Sequence, residues 1–307
     1  MQIHQELQAG WEALPVLDLS NLAEVRIQEA REVPEFTPRA GVTRSHVDIP
    51  AQSPSRLIGL DLYTPAGKGE MPAVLWIHGG GYIVGSAAAD AGWCGELAHA
   101  LGAVVAAVEY RLAPEHPYPA GLEDCYQALV WMTENADKIQ INPDNVAVAG
   151  NSAGGGLTAA LALLARDRGG PKIIFQMPLY PMIDDRSERP SSYEITSGVW
   201  TRSHNLIAWR LYLGGRTEVP FYAAPSRAPD LAGLPPSYTM VGSIDLFRDE
   251  TLDFVSRLAQ AGVPVECRVV PGGYHAFEFI VPDAAVSRAA RQDYIEALRR
   301  GLAGTFC

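Results

Sequence analysis

The stretch Gly150-Asn151-Ser152-Ala153-Gly154 reads G-x-S-x-G and joins a β-branched run, residues 145–149, to a run of helix formers, residues 157–164. A sharp turn between strand and helix strains the serine backbone and leaves no room for side chains two residues to either side. The pattern is typical of a nucleophile elbow, with the hydroxyl raised at the end of a strand beside the first amides of a helix. Glycine-rich turns that serve packing alone share this pattern, so the rest of the chain has to discriminate.

Composition restricts the class of protein. The 307 residues are enough for one large core or two modest ones, and the contents of 48% apolar and 19% charged residues are ordinary for a globular protein. The formal net charge of −11 disfavours nucleic acid and anionic membranes as partners. No run is apolar enough to span a membrane, and the first residues lack the pattern of a signal peptide, so we expect no stable membrane association.

The cysteines and histidines give no sign of a cross-link or a metal. Cys94, Cys125, Cys267 and Cys307 stand far apart without C-x-x-C spacing, which favours reduced thiols in a cytoplasmic protein. The seven histidines show no H-E-x-x-H or comparable spacing. We therefore expect no metal.

Apolar runs alternate with amphipathic segments along most of the chain. The predicted strands are 42–50, 57–63, 73–77, 103–108, 145–149, 172–176, 237–241 and 265–270, and the predicted helices are 92–101, 122–134, 157–164, 250–260 and 284–302. The first two strands, separated by Pro54 and Ser55, are expected to pair antiparallel. The alternation predicts an α/β fold, with a mostly parallel central sheet of about eight strands and helices on both faces.

Two segments fall outside that alternation. Residues 1–40 are expected to be helical and amphipathic and to end at Pro34 and Pro38, and they form either a packing helix or part of a lid. The apolar residues at helical spacing are Leu7, Trp11 and Leu14, then Leu22, Val25 and Ile27. Residues 182–222, which carry Trp200 and Trp209, are expected to be an inserted helical segment that acts as a lid. The predicted division therefore sets 1–40 and 182–222 apart from the core, with 41–181 and 223–307 as the two parts of the core.

A second motif, His78-Gly79-Gly80-Gly81-Tyr82, follows directly on an apolar strand. Successive glycines at the carboxyl end of a parallel strand leave backbone N–H groups open to the crevice. Two such donors, together with the amide of Ala153, could hold a tetrahedral oxyanion. A phosphate-binding loop is the alternative, although no Lys-Ser/Thr and no G-x-G-x-x-G follows. We interpret His78 as a brace for this loop.

An acid and a base are expected on the loops after two later strands. His275 lies in Gly272-Gly273-Tyr274-His275 and Asp245 in Gly242-Ser243-Ile244-Asp245, and both follow predicted strands. The order Ser152, Asp245, His275 matches that of Ser-Asp-His hydrolases, in which histidine takes the serine proton and the carboxylate orients the ring. Asp249 and Glu250 remain alternatives for the carboxylate, although they are placed as the first turn of the next helix.

These motifs together resemble the bacterial hormone-sensitive-lipase-like esterases of the α/β-hydrolase fold, over nearly the whole chain. The resemblance also rests on Tyr110 to Ala120, on Asp245 to Glu250 and on Tyr274-His275-Ala276-Phe277. It implies Ser152 as nucleophile, His275 as base and Asp245 as acid. It further implies an oxyanion hole of the amides of Gly80, Gly81 and Ala153, a cap built from 1–40 and 182–222, and cis bonds at Ala113–Pro114 and Tyr118–Pro119.

Two positions depart from the family pattern. The family usually has Asp where this chain has Asn151, and Pro where it has Leu246. Asn151 removes a negative charge beside the nucleophile, and Leu246 loosens the loop after the expected acid. The departures affect substrate preference and loop geometry rather than mechanism.

The expected activity is a carboxylesterase that hydrolyses short-to-medium acyl esters through an acyl-enzyme, with a small-molecule ester as its partner and no cofactor. Tyr82, Leu246 and Phe277 are expected to line the substrate pocket. An amidase or lactonase on the same triad remains an alternative, as does a non-catalytic receptor of the kind found among plant gibberellin receptors, which have lost the triad histidine. The strand at 265–270 is expected at a sheet edge, where a homodimer could form.

Overall fold

The computed structural model describes residues 2–33, 35–37, 39–51, 56–67 and 69–306. Within them lies one sheet of eight strands: β1 (Val42–Pro50), β2 (Leu57–Pro65), β3 (Met71–Ile77), β4 (Val104–Glu109), β5 (Ile141–Asn151), β6 (Phe175–Leu179), β7 (Ser237–Ile244) and β8 (Val265–Tyr274). Pro34, Pro38, Pro54, Ser55 and Cys307, on which predictions were made above, lie outside the described residues.

The strands lie in the order β1-β2-β4-β3-β5-β6-β7-β8. Pairing of β1 with β2 and of β2 with β4 is antiparallel, and every later pair is parallel. The prediction of a mostly parallel sheet with an antiparallel opening pair is confirmed, and so is the edge position of β8. Because β5, β7 and β8 run parallel, the loops that carry Ser152, Asp245 and His275 emerge at the same edge.

The described helices of the core are α3 (Ala91–Leu101), α4 (Ala120–Glu134), α5 (Ala136–Ile139), α6 (Ala153–Arg168), α9 (Arg248–Gln260), α10 (Phe277–Ile280) and α11 (Ala285–Leu302). They cover both faces of the sheet. On β3, Leu75 and Ile77 face the core cluster of α4 and α6, whereas Val74 and Trp76 face that of α3 and α11. This alternation follows from the two-residue period of a strand, and burial on both faces explains the unbroken apolar run.

The strand predicted at 172–176 is wrong in its position, because β6 covers Phe175–Leu179. Pro178 is the reason that the sequence pattern does not predict a strand at this position, since proline is unusual in a central strand. Here Gln176 N donates to Pro236 O at 3.0 Å and Tyr180 N donates to Met240 O at 2.8 Å on the β7 side. Pro178 lies midway between them, and its carbonyl accepts the hydroxyl of Thr239 at 2.6 Å. One missing backbone donor is thereby tolerated.

The N-terminal segment consists of short helical pieces rather than one amphipathic helix. A 3-10 turn (Gln5–Leu7) leads into α1 (Gln8–Glu12), and a second turn (Leu19–Asn21) leads into α2 (Leu22–Glu32). Ile27, predicted on the apolar face, is 46% exposed. The neighbouring Arg26 faces the core instead, because its guanidinium finds backbone carbonyls there.

The segment between β6 and β7 is helical, as predicted, with α7 (Pro190–Glu194) and α8 (Arg202–Leu213). Trp200, Trp209 and Tyr212 belong to the same apolar cluster as Tyr82 of the glycine loop, so this segment packs against that loop. Among the described helices none is long and apolar enough to cross a bilayer. Cys94, Cys125 and Cys267 are free cysteines.

Candidate active site

Ser152 stands at the turn between β5 and α6, with a left-handed backbone of φ +55° and ψ −118°. Its amide donates to Leu179 O at 3.0 Å, and its carbonyl accepts from Gly156 N at 2.9 Å and Met182 N at 3.0 Å. A non-glycine residue persists in such a conformation only where neighbouring bonds determine it fully. These three bonds do so, and they aim the side chain away from the sheet.

The flanking glycines are required by the close packing of the turn against β3. A Cβ on Gly150 would stand 2.5 Å from Ile77 O and 2.6 Å from Gly154 O, and one on Gly154 would strike the carbonyls of Ile77 and His78. Only glycine allows this approach. The G-x-S-x-G spacing is therefore a property of this packing.

The structure brings Ser152, His275 and Asp245 together from three loops. His275 Nε2 lies 3.0 Å from Ser152 Oγ, and His275 Nδ1 lies 2.9 Å from Asp245 Oδ2. All three are nearly buried, with exposed fractions of 9%, 6% and 0% respectively. A continuous line of hydrogen bonds thus runs from a buried carboxylate through an imidazole to a hydroxyl.

Asp245 is held independently of His275. Its second oxygen, Oδ1, accepts the amide of Phe247 at 2.8 Å. The two alternative carboxylates are engaged elsewhere: Asp249 accepts from Ser191 N at 2.8 Å, and Glu250 accepts from Ile183 N at 2.8 Å. The geometry therefore places Asp245, and neither neighbour, against the imidazole.

The glycine loop has three successive left-handed residues, Gly80 (φ +108°), Gly81 (φ +59°) and Tyr82 (φ +66°). A Cβ on Gly80 would strike Val84 O, and one on Gly81 would stand 2.5 Å from the ring of Trp200. Within the described part of the chain, no group accepts the amides of Gly80 or Gly81. Ala153 opens α6, where the first amides have no partner inside the helix. These three N–H groups therefore remain available to an anion.

His78 braces this loop from below. It is buried, its ring stacks on Tyr110 with centroids 4.2 Å apart, and its Nδ1 donates to Gly79 O at 2.8 Å. Burial lowers the pKa of His78 to about 4, so the ring is neutral at physiological pH. Tyr110 in turn donates its hydroxyl to His78 O at 3.0 Å.

The three residues expected to line the pocket have different surroundings. Tyr82 stacks on Tyr212 with centroids 4.0 Å apart, and its hydroxyl lies where a Cβ on Gly156 would fall, over the first turn of α6. Leu246 is buried, and its carbonyl accepts Ser191 Oγ at 2.8 Å. Phe277 packs on Gly273 in the core of α3 and α11. Pocket lining by these residues stays a prediction.

The residues that depart from the family pattern are both well packed. Asn151 lies against the glycine loop, where a Cβ on Gly79 would stand 3.1 Å from its Oδ1. The loop at Leu246 is tied down by Ser191, which gives its hydroxyl to Leu246 O and its amide to Asp249. The missing proline is thus replaced by two side-chain bonds.

The stretch from Tyr110 to Ala120 has the backbone that the resemblance implies. Both Ala113–Pro114 and Tyr118–Pro119 are cis, as predicted. Arg111 makes a two-pronged ion pair with the buried Asp124, with Nε and Nη2 each 2.8 Å from a carboxylate oxygen. This ion pair holds Arg111 against α4.

Sequence reasoning missed two residues beside the imidazole. Tyr180 and Phe247 both stand edge-on to His275, with ring centroids 5.0 and 5.1 Å away and interplanar angles of 75°. Tyr180 directly follows β6, and the predicted strand at 172–176 ends too early to place Tyr180 at the carboxyl edge of the sheet. Phe247 carried a signal, since it lies two residues after Asp245 in the quoted motif.

Comparison with known proteins gives the same class of fold. Residues 74–279 match a family described as having the α/β-hydrolase fold. Esterase LipI of Mycobacterium tuberculosis is 37% identical over 265 residues, which cover 83% of this chain and 80% of that protein. Carboxylesterase NlhH of the same organism is 36% identical over 299 residues, 92% of this chain and 87% of that one.

Solved structures agree over nearly the full length. A bacterial heroin esterase superposes with a TM-score of 0.93 at 37% identity, and 98% of both chains is covered. Esterase LipW from Mycobacterium marinum has a TM-score of 0.92 at 32% identity, with 98% of this chain and 96% of that one covered. The chain therefore belongs to this α/β-hydrolase family, and its resemblance to the bacterial hormone-sensitive-lipase-like esterases is confirmed.

Proposed function

We propose that the chain is a carboxylesterase that hydrolyses short-to-medium acyl esters through Ser152, His275, Asp245 and an acyl-enzyme intermediate. The observation that carries the proposal is the line of hydrogen bonds from Asp245 to His275 at 2.9 Å and on to Ser152 at 3.0 Å. Relatives named esterase and carboxylesterase support ester bonds as the target.

Acylation begins when Ser152 Oγ attacks the ester carbonyl carbon and its proton passes to Nε2 of His275. Asp245 keeps the other ring proton on Nδ1 and stabilises the imidazolium that forms. The carbonyl oxygen becomes an oxyanion, to which the amides of Gly80, Gly81 and Ala153 donate. Nε2 then returns the proton to the leaving alkoxide, and the alcohol departs.

Deacylation repeats these steps with water. Nε2 takes a proton from the water as its oxygen attacks the acyl carbon, and the same three amides hold the second oxyanion. When the tetrahedral intermediate collapses, the proton on Nε2 passes to Ser152 Oγ. The carboxylic acid leaves, and the enzyme returns to its starting state without a metal or cofactor.

We infer a small acyl group from the aromatic residues that cover the glycine loop. Trp200 lies against Gly81, and Tyr82 packs between Tyr212 and Trp209, with ring centroids 4.0 and 5.4 Å away. We assign residues 1–40 and 182–222 to a cap that encloses the acyl group. A closed apolar pocket under that cap would suit a small ester better than it would suit a lipid aggregate. A cytoplasmic location and a dimer through β8 stay predictions.

The test is an acyl-chain series of p-nitrophenyl esters, from acetate to dodecanoate, with wild type and Ser152→Ala. Wild type should favour butyrate to octanoate, and Ser152→Ala should lose about 10⁵-fold or more in kcat. Ser256→Ala, an exposed serine on α9, is the matched control and should behave as wild type. Equal turnover of a matched anilide or lactone would favour the amidase or lactonase alternative. Absence of turnover on every ester would reject the proposal.

A further inference from the structure

Two side chains of helix α2 form hydrogen bonds to the segment that directly follows the glycine loop. Arg26 Nε donates to Ile83 O at 2.8 Å, and Glu29 Oε2 accepts the amide of Gly85 at 3.1 Å. The two residues are three apart, so they lie on the same face of the helix. An N-terminal helix more than 50 residues away in sequence thus holds both ends of the segment that follows Gly80 and Gly81.

The contact of Arg26 affects the orientation of the Gly81 N–H, one of the expected oxyanion donors, through two planar peptide units. Arg26 holds the carbonyl of Ile83, and the same peptide unit carries the N–H of Val84, which donates to Gly80 O at 2.9 Å. The carbonyl of Gly80 shares its peptide unit with the N–H of Gly81. Because each peptide unit is planar, the direction of the Gly81 N–H depends on the position of Ile83 O.

Arg26 also joins this loop to its neighbour. Its Nη2 donates to Ala113 O at 2.6 Å, and Nη1 lies 2.9 Å from Glu115. Ala113 N in turn donates to Tyr82 O at 2.9 Å. The Arg26 guanidinium therefore joins the segment after the glycine loop, at Ile83, to the stretch from Tyr110 to Ala120, at Ala113. The planar fork of arginine suits such a multiple contact, and lysine cannot reproduce it.

The apolar residues of α2 are only partly buried. None of the eleven residues of α2 is fully buried, and Ile27 is 46% exposed. A groove of about 320 Å³ separates the helix from residues 85–89, lined by Arg26, Glu29, Ala30, Gly85, Ser86 and Leu112. Leu22 and Val25 pack against the neighbouring core cluster, and across the groove α2 reaches Ile83 and Gly85 through the hydrogen bonds of Arg26 and Glu29.

We propose that Arg26 and Glu29 are positioning residues for the oxyanion hole, which hold the Gly81 amide in the direction that a tetrahedral intermediate needs. The inference rests on the proposed function and adds two residues to it. Neither side chain touches the reacting atoms. Their effect is on the transition state, since the donors must point at the oxyanion and not at the ground-state carbonyl.

The experiment compares Arg26→Ala and Glu29→Ala with wild type, using p-nitrophenyl butyrate and a trifluoromethyl ketone that forms an anionic hemiketal on serine. Concentrations of active enzyme come from titration with a fluorophosphonate. We expect kcat to fall about tenfold in each variant with KM changed less than about twofold, because misplaced donors weaken transition-state binding alone. The Ki of the ketone should rise by the same factor.

Conservative and matched variants separate positioning from general loss of structure. Glu29→Gln keeps an oxygen that accepts the Gly85 amide and should restore kcat, and Arg26→Lys should not restore it. Arg31→Ala and Glu24→Ala change exposed charges on the same helix and should leave kcat and Ki unchanged. The double variant should lose less than the product of the two single losses, because both side chains act on one loop.

The inference is overturned if both alanine variants keep the kcat and ketone Ki of wild type, whatever happens to their melting temperature. It is also overturned if only KM rises, since that result would assign α2 to substrate entry. These outcomes differ from failure of the proposed function, which would appear as turnover retained by Ser152→Ala or no turnover by wild type.

Discussion

Tyr180 donates its hydroxyl to Glu278 Oε1 at 2.5 Å, and its ring stands edge-on to His275. Glu278 is completely buried, and its other oxygen has no hydrogen-bond partner within the described residues. A carboxyl group in this position costs free energy when ionised. Burial accordingly raises the pKa of Glu278 from 4.5 to about 7.

The first prediction concerns stability and pH. Because the folded-state pKa of Glu278 is raised, folding favours its protonated form, and stability falls as pH rises from about 4.5 to about 7. Glu278→Gln keeps an acceptor for Tyr180 and removes that ionisation. It should raise the free energy of unfolding by about 3 kcal/mol above pH 7, relative to its effect at pH 4. Urea unfolding at pH 4, 6 and 8 measures the difference, and a pH-independent difference would contradict the assignment.

A second prediction concerns the turn at the serine. Gly154→Ala forces a Cβ onto the carbonyls of Ile77 and His78, so it should destabilise the fold by more than about 3 kcal/mol. Gly92→Ala in α3 is the matched control, because its Cβ would meet open space. That control should gain about 0.5–1 kcal/mol from helix propensity. Thermal unfolding of both variants provides the comparison, and similar melting temperatures would refute the packing argument.

The third prediction separates the carboxylates. Asp245→Asn leaves the shape of the site but no longer keeps the proton on Nδ1 of His275, so kcat should fall by about 10⁴. Asp249→Asn should have little effect, since Asp249 contacts Ser191 and Arg248 instead. Steady-state kinetics on p-nitrophenyl butyrate tests both. A large loss in the Asp249 variant alone would transfer the acidic role to that residue.

The fourth prediction concerns chain length. Trp200→Ala removes the ring that lies against Gly81, so the site should accept longer acyl groups. The ratio of kcat/KM for dodecanoate to that for butyrate should rise by about tenfold. Trp131→Ala, a half-buried tryptophan on α4, loses equal bulk away from the site. An unchanged ratio in the Trp200 variant would place the acyl group elsewhere.

Most of the fold and the three meeting side chains could be predicted because local patterns carry them. Short stretches of sequence are enough to recognise the apolar run of β3 and the glycines around Ser152. They also show that Asp245 and His275 each follow a predicted strand. The position of β6 was predicted wrongly because Pro178 opposes the local preference for a strand. Hydrogen bonds to neighbouring segments on both sides of Pro178 make the strand possible. Tertiary context overrides propensity there.

What could not be predicted depends on contacts between distant segments. Arg26 and Glu29 carry no motif, and their significance appears only when α2 lies beside Ile83 and Gly85. Helical spacing predicts that Ile27 faces inward, but it is exposed, and Arg26 faces inward because its guanidinium donates to backbone carbonyls there. Glu278 likewise reads as an ordinary acid in a first helical turn until Tyr180 is placed over it.

The most direct test of the account is the mass of the enzyme during turnover. Wild type mixed with p-nitrophenyl butyrate and quenched in acid within milliseconds should carry one butyryl group, located by peptide mapping on Ser152. Ser152→Ala should carry none and release no burst of nitrophenol. A butyryl group on another residue, or a burst that survives in Ser152→Ala, would contradict the proposed acyl-enzyme.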